Sequence, residues 1–256
     1  MKALVLAAGY ATRLRPLTDT WAKELLPVGG RPIIDRIVDA IGAVAEVDAI
    51  HVVTNARKAP AFGEWAKSRP GVHVHDDGTS SNEDRLGAIG DLQLVLERAA
   101  IDDDLLVIAG DNLFDFSLSD FVGFWRAQAD ASAVAVRDVG SLELATHYGI
   151  VSLDVSGRLL DFVEKPADPP STLAATATYL YRRDHLPLVH AYLEEGHSPD
   201  QPGRLIGWLR ARRPVYGWVF DETWYDIGNV EQLLEADNHL REREGLPVRS
   251  AYDPEP

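Results

Sequence analysis

The sequence predicts an α/β fold, a doubly wound, mixed but mainly parallel sheet with a small β lobe. Three observations predict it. Short apolar runs alternate with amphipathic segments of helical period through the first half of the chain, a βαβαβαβ rhythm. The strongest runs are apolar throughout, as strands covered on both faces require. The second half then changes character: two strand-like runs flank Asp154-Val155-Ser156-Gly157, a turn that makes them a hairpin.

Residues 3–7 read as a buried first strand ending in the small residues Ala8 and Gly9. Residues 32–44 read as a helix, with Pro32 in its first turn and Ile33, Ile34, Ile37, Val38 and Ile41 on one face. Residues 50–54 and 72–75 are strands. Residues 89–99 form a helix with Leu92, Val95 and Leu96 inward, and 105–109 a strongly apolar strand. A helix over 118–129 and a strand over 133–137 complete the alternating half. The hairpin pairs 150–153 with 159–163, and a further strand covers 174–181. Helices are expected over 186–193 and 204–211, a strand over 215–220 and a closing helix over 230–240. Residues 1–243 are expected to form a single domain, and 244–256, with three prolines, a loose tail.

Composition is that of a globular chain, with 46% hydrophobic and 25% charged residues. The net charge of −15 argues against nucleic acid as a partner. A phosphate-bearing ligand must then meet a local cluster of Lys and Arg set against the global field. There is no cysteine, which excludes disulfides and thiolate metal sites. No apolar stretch approaches the ~20 residues of a membrane span, so no membrane association is expected. Met1-Lys2 and the run behind them are too short for a signal peptide, and a cytoplasmic protein is expected.

The opening segment carries the chemistry. Ala8 and Gly9 let a ligand approach the backbone, whose N–H groups can cradle phosphate. Arg13 adds a planar donor fork and Lys23 a mobile point charge. No Gly-Lys-Ser/Thr follows, so this is not a Walker A loop. Asp111 stands just past the 105–109 strand, at the carboxyl end where open α/β sheets bind ligands, and can reach Mg²⁺. Two other groupings carry less: His73-x-His75 lacks a third ligand, and Asp102-Asp103-Asp104 turns the chain into the strand that follows.

The opening Leu6-Ala7-Ala8-Gly9, Thr12-Arg13-Leu14, Pro16-Leu17-Thr18, Lys23 and Leu25-Leu26-Pro27-Val28 resemble the sugar-1-phosphate nucleotidyltransferases. Ala22 replaces the proline usual before the lysine. The resemblance extends over about residues 2–240 in ordered motifs. It implies a Rossmann-like fold of the nucleotide-diphospho-sugar transferase type, with a small sugar-binding lobe. It implies an NTP and a sugar 1-phosphate as partners, Mg²⁺ as cofactor, and release of an NDP-sugar and pyrophosphate. Its implied site has Arg13 and Lys23 as catalytic residues, with Leu6, Ala8, Gly9, Asn82 and Gly87 on the nucleotide. Asp111 and Asp226, the latter in Trp224-Tyr225-Asp226-Ile227-Gly228, hold the metal. Tyr148, Gly149, Glu164, Lys165 and Ala177 face the sugar phosphate. Asn82 has an alternative role, shaping the loop and capping the next helix together with Asp84. Ala177 is the clearest departure, because the family has glycine there to give backbone access to the sugar; Ala175 also lacks the usual polar group.

Two other readings stay open: cytidylyl transfer to phosphocholine or an inositol phosphate on the same fold, and a non-catalytic relative that binds nucleotide sugars. A nicotinamide oxidoreductase is disfavoured, because Gly-x-Gly-x-x-Gly is absent after the first strand. The chain ends soon after the last motif, so no appended acyltransferase or β-helix domain is expected. A homo-oligomer is compatible with the sequence.

Overall fold

The computed structural model describes residues 1–254. Its strands are β1 (Lys2–Ala7), β2 (Pro27–Val28), β3 (Arg31–Pro32), β4 (Ala49–Thr54), β5 (Val72–Asp76), β6 (Leu105–Ala109), β7 (Asn112–Phe114), β8 (Ser132–Asp138), β9 (Gly149–Leu153), β10 (Leu159–Glu164), β11 (Leu173–Tyr181), β12 (Val215–Phe220) and β13 (Trp224–Asp226). Its α-helices are α1 (Leu17–Thr20), α2 (Ile33–Gly42), α3 (Ala59–Ala66), α4 (Ala88–Arg98), α5 (Leu118–Ala127), α6 (Leu142–Ala145), α7 (Pro187–Glu194), α8 (Pro202–Leu209) and α9 (Val230–Arg243).

Nine strands form one sheet along the path β10-β9-β11-β6-β1-β4-β5, with β8 joined to β11 and β12 to β8. The block β6-β1-β4-β5 is parallel, as is β8 with β12. β11 runs antiparallel to β6, β8 and β9, and the β9–β10 hairpin adds the mixed edge. Strand alternation divides the core. On β1, Ala3, Val5 and Ala7 face one cluster and Leu4 the other. The first cluster is covered by α2, α3, α5 and α9 through residues such as Ile37, Phe62, Phe121 and Leu233. The second is covered by α4, α7 and α8 through Leu92, Val189 and Ile206. Helices on both faces of the sheet make the fold doubly wound.

The site depends on this topology at one place. β1 and β6 are parallel neighbours, so their carboxyl ends open on the same side. There β6 runs through Gly110 and Asp111 into the two-stranded β7–β13 ladder, in which Asp226 pairs with Asn112. Gly110 is required by packing. A Cβ on it would lie 2.8 Å from Glu24 Cγ and 3.0 Å from the Leu6 carbonyl.

Among the described residues, the segment after α9 has no regular secondary structure, and it is tied back onto the fold. Asn238 and Arg249 exchange two hydrogen bonds, and the Tyr252 hydroxyl donates to the Pro27 carbonyl at 2.8 Å. Among the other groupings, the His51 and His75 rings are hydrogen-bonded to each other at 2.9 Å. Asp102 pairs with Arg183, and Asp104 with Arg126. Among the described residues, no three metal-type ligands come together.

One ring packs β10 against β9 and α8. Phe162 on β10 lies in a cradle of Gly149, Gly203 and Gly207; a Cβ on Gly203 would come within 2.2 Å of Phe162 Cζ. In an exposed helix, alanine for glycine is worth about 1 kcal/mol of extra stability. Here overpacking of about 1–3 kcal/mol opposes that gain. Gly203→Ala should therefore lower the melting temperature, and Phe162→Leu added to it should restore much of the loss. A variant that melts at or above the wild type would show that α8 has room against β10.

Candidate active site

A cleft of about 420 Å³ opens at the carboxyl ends of β1 and β6. Of the residues proposed from the sequence, Leu6, Ala8, Gly9, Lys23, Asn82, Gly87, Asp111, Tyr148, Gly149, Glu164, Lys165, Ala177 and Asp226 all line it. Arg13 does not. Its exposed guanidinium lies against Gly228, with both terminal nitrogens within 3.4 Å of where a Gly228 Cβ would sit, and its charge reaches Asp226.

The central feature is an ion pair. Lys23 Nζ donates to Asp111 Oδ2 at 2.6 Å and to the Ile227 carbonyl at 3.3 Å. Burial works to lower the Lys23 pKa, but Asp111, Glu24 and Asp226 more than offset it, so the shift is upward and the ammonium is kept. Burial, with the Asp111 carboxylate facing it, pushes Asp226 up to about 6 against the pull of Lys23, Arg13 and Lys165. Burial likewise pushes Glu24 up to about 7, opposed by Lys23. One buried lysine thus stands among three acids, two of which resist ionising. The β7–β13 ladder fixes the arrangement, and the Ile227 amide donates to the Asp111 carbonyl at 3.2 Å.

Across the cleft the backbone is strained. Lys165 has φ +45° and Ala177 φ +52°, left-handed conformations that cost an L-residue about 1–2 kcal/mol. The Lys165 amide donates to the Tyr148 carbonyl at 3.0 Å, which ties the end of β10 to the start of β9. Burial raises the pKa of Glu164, while Lys165 and Arg204 oppose the shift. Tyr148 packs on Trp224 with ring centroids 5.1 Å apart.

Two of the proposed glycines differ from expectation in where their missing side chains would point. A Cβ on Gly149 would meet the Phe162 ring at 2.6 Å, so the close approach there is one of packing. A Cβ on Gly87, at φ +80°, would lie 2.7 Å from the Pro199 carbonyl oxygen. That carbonyl also accepts from the Ile89 amide at 2.8 Å, satisfying an N-terminal donor of α4 that has no side-chain cap. Gly9, by contrast, has nothing within 4 Å of its open face. Asn82 does not cap α4 with its side chain; its carbonyl accepts from Arg85 Nη1 at 2.6 Å.

Several cleft residues were not proposed from the sequence. Arg85 forms a two-pronged pair with Asp200, at 3.1 and 3.2 Å, and closes one wall. These two are 115 residues apart and carry no motif, so no local pattern could join them. Asn112 follows Asp111 directly and is buried, with 2% exposure. A third group runs inward from Tyr10. Its hydroxyl lies 2.9 Å from Thr79 Oγ1, and Asp77 accepts from the Thr79 amide at 2.7 Å and from its hydroxyl at 2.8 Å. Asp77 in turn faces Asp91, which also lines the cleft. Burial and the Asp77 charge push Asp91 up to about 7, so Asp91 carries the proton.

That pair predicts a pH dependence of stability. Between the ordinary carboxylate range and about pH 7, the unfolded chain loses the Asp91 proton and the folded chain keeps it. The unfolded state then binds fewer protons, so this contribution falls as pH rises through that window. Asp91→Asn, which keeps a donor toward Asp77, should melt close to wild type at pH 4 and progressively above it toward pH 8. A difference that does not change with pH would show that the pair does not share a proton.

The chain matches the family described as Nucleotidyl transferase over residues 2–243. The glucose-1-phosphate thymidylyltransferase of Streptomyces griseus is 32% identical over 249 residues, which is 94% of this chain and 66% of that protein. The UTP–glucose-1-phosphate uridylyltransferase of Haloferax volcanii is 30% identical over 247 residues, 94% of this chain and 97% of that one. The bifunctional protein GlmU of Methanocaldococcus jannaschii is 28% identical, and the chain spans only 57% of its length. Among solved structures, apo UDP-glucose pyrophosphorylase superposes with a TM-score of 0.78 at 23% identity, over 95% of this chain and 98% of that one; the likeness concerns the fold. A family match over nearly the whole chain, with relatives at 30% identity or above, makes the chain a member of the sugar-1-phosphate nucleotidyltransferase family.

Proposed function

We propose that the chain transfers a nucleotidyl group from an NTP to a sugar 1-phosphate, giving an NDP-sugar and pyrophosphate. The observation that carries this is the Lys23–Asp111–Asp226 cluster at the ends of β1 and β6, facing Glu164 and Lys165 across one cleft. The relatives' names support glucose 1-phosphate as acceptor and dTTP or UTP as donor, and favour these over phosphocholine or an inositol phosphate.

The sugar phosphate is already ionised at neutral pH, so no general base is needed. Its oxygen attacks the α-phosphorus as pyrophosphate leaves in line, and positioning with charge neutralisation carries the rate. Lys23, kept charged by its acids, stabilises the transferring phosphate. Arg13, outside the cleft beside Gly228, contributes long-range charge at the triphosphate end. Lys165 orients the acceptor phosphate, and Glu164 accepts from sugar hydroxyls. The backbone around Gly9 meets the nucleotide. The donor set fits a divalent cation: Asp111 and Asp226 face each other, part of the upward push on Asp226 is their repulsion, and Mg²⁺ takes one or two carboxylates with phosphate oxygens and water. When bound, Mg²⁺ neutralises charge on the phosphate oxygens. A cytoplasmic location accords with the phosphorylated substrates, and no helix among the described residues is long and apolar enough to cross a membrane.

A set of NTPs should be tested against a panel of sugar 1-phosphates with Mg²⁺, reading pyrophosphate release. Turnover is expected with a pyrimidine triphosphate and a hexose 1-phosphate; release no higher than the enzyme-free blank for every pair would refute the activity. Asp111→Asn and Asp226→Asn should each lower turnover by about a hundredfold or more while the fold melts cooperatively. Wild-type rates in either would remove that carboxylate from the site.

The two lysines should separate kinetically. Lys165→Ala should raise KM for the sugar phosphate far more than for the NTP. Lys23→Ala should mainly lower kcat, because it removes charge stabilisation that matters most in the transition state. The same kinetic defect in both variants would contradict this division of roles.

A further inference from the structure

β11 is interrupted where it borders the cleft. Its pairing with β8 passes from Ala175 opposite Val136 to Tyr179 opposite Val134, so four steps on β11 match two on β8. Ala177 sits at the centre of this bulge in the left-handed conformation, at φ +52°. Alanine does not take that conformation unaided; surrounding contacts must hold it.

Thr176, the residue before, is held from two sides. Its hydroxyl donates to the Ala135 carbonyl at 3.0 Å, and its own carbonyl accepts a hydrogen bond from Asn112 Nδ2. The Asn112 amide works in both directions, since its Oδ1 accepts from Trp224 Nε1 at 3.2 Å. Asn112 is 2% exposed and begins β7, directly after Asp111; Trp224 begins β13, two residues before Asp226. One buried amide therefore joins the strand pair that carries both acids to the bulge that forms the opposite wall. The bond to Trp224 orients the amide so that Nδ2 points at Thr176. Of the side chains of this size, only an amide offers a donor and an acceptor from one planar group.

We infer that Asn112 is a positioning residue, which holds the Ala177 bulge in register with the Asp111–Asp226 strand pair and so sets where the acceptor sits. The inference rests on the proposed function for its kinetic consequence, and on geometry alone for its structural one. Without the clamp, Ala177 can leave its left-handed state and the wall moves. With glycine at this position that state costs nothing, and the wall stays without the clamp.

The test is a double-mutant cycle of Asn112→Ser, whose hydroxyl is too short to bridge both partners, with Ala177→Gly. In the wild-type background, Asn112→Ser should raise KM for the sugar 1-phosphate about tenfold, with the NTP KM changed less than about twofold. In the Ala177→Gly background the same change should raise the acceptor KM by less than about threefold. An equal rise in both backgrounds, or an equal rise in both KM values, overturns the inference. The melting temperature supplies a second cycle that needs no turnover. Ala177→Gly should raise it, and Asn112→Ser should lower it less in the glycine background; additive shifts overturn the clamp. If the wild type turns over no substrate pair, the functional proposal has failed, and the thermal cycle still decides the role of Asn112.

Discussion

The partly buried Lys23–Asp111 pair is the constraint on which the rest of the site depends. Removing an ammonium and a carboxylate from water costs several kcal/mol per ion, and their attraction repays it only with good geometry and further partners. Here those partners come from both sides of the chain's fold. The lysine arrives from the loop after β1 and the aspartate from the end of β6, so the pair can form only if the two strands lie parallel and in register. Gly110 is shaped by the same need, because Glu24 and Leu6 leave no room for a side chain beside Asp111. The net charge of −15 makes this local arrangement essential to any phosphate ligand. Burial raises the pKa of Glu24 to about 7, which reduces the negative charge actually present around Lys23 at neutral pH.

The cleft's far wall is built by a different principle. Lys165 and Ala177 are non-glycine residues in left-handed backbone, and both face the cleft. Strain of this kind persists only where neighbours over-determine the chain. For Lys165 the neighbour is Tyr148, whose carbonyl takes its amide. For Ala177 it is the pinned Thr176. Glycine in a strand interior is ordinarily costly. In the folded chain the position of Ala177 is a bulge with positive φ, where glycine is the relaxed residue and alanine the strained one.

What was legible in the sequence follows from where the physics is local. The strands over 105–109 and 215–220 are legible with their observed ends, because the runs are bounded by turn-forming residues, Asp104 and Gly110 for the first and Pro214 and Asp221 for the second. The hairpin was legible from its turn residues. The cleft was legible wherever a residue that lines it stands two positions past such a strand, as Gly9 and Asp111 do. α3 was missed: Ala-Pro-Ala-Phe-Gly-Glu-Trp-Ala buries one residue, Phe62, so its helical period is faint. β7 and β13 were missed because three-residue strands have no period to detect; only their pairing gives them identity. The contacts of Arg85 with Asp200 and of Asp77 with Asp91 belong to tertiary structure alone.

The same distinction explains why family motifs located the cleft better than they explained it. A motif records which residue is needed, and the fold decides what for. Gly149 and Gly87 stand where the resemblance puts ligand contacts and do line the cleft, but their open faces are filled by Phe162 and by Pro199. Each therefore also serves packing, on the side where a Cβ would stand. Gly149 lets Phe162 settle between β9 and α8, and that ring sits two residues before Glu164 on β10. Gly87 lets the Pro199 carbonyl cap α4, which brings Asp200 within reach of Arg85. Of the three, Gly9 alone has nothing within 4 Å of the place a Cβ would take, so its open face owes nothing to packing.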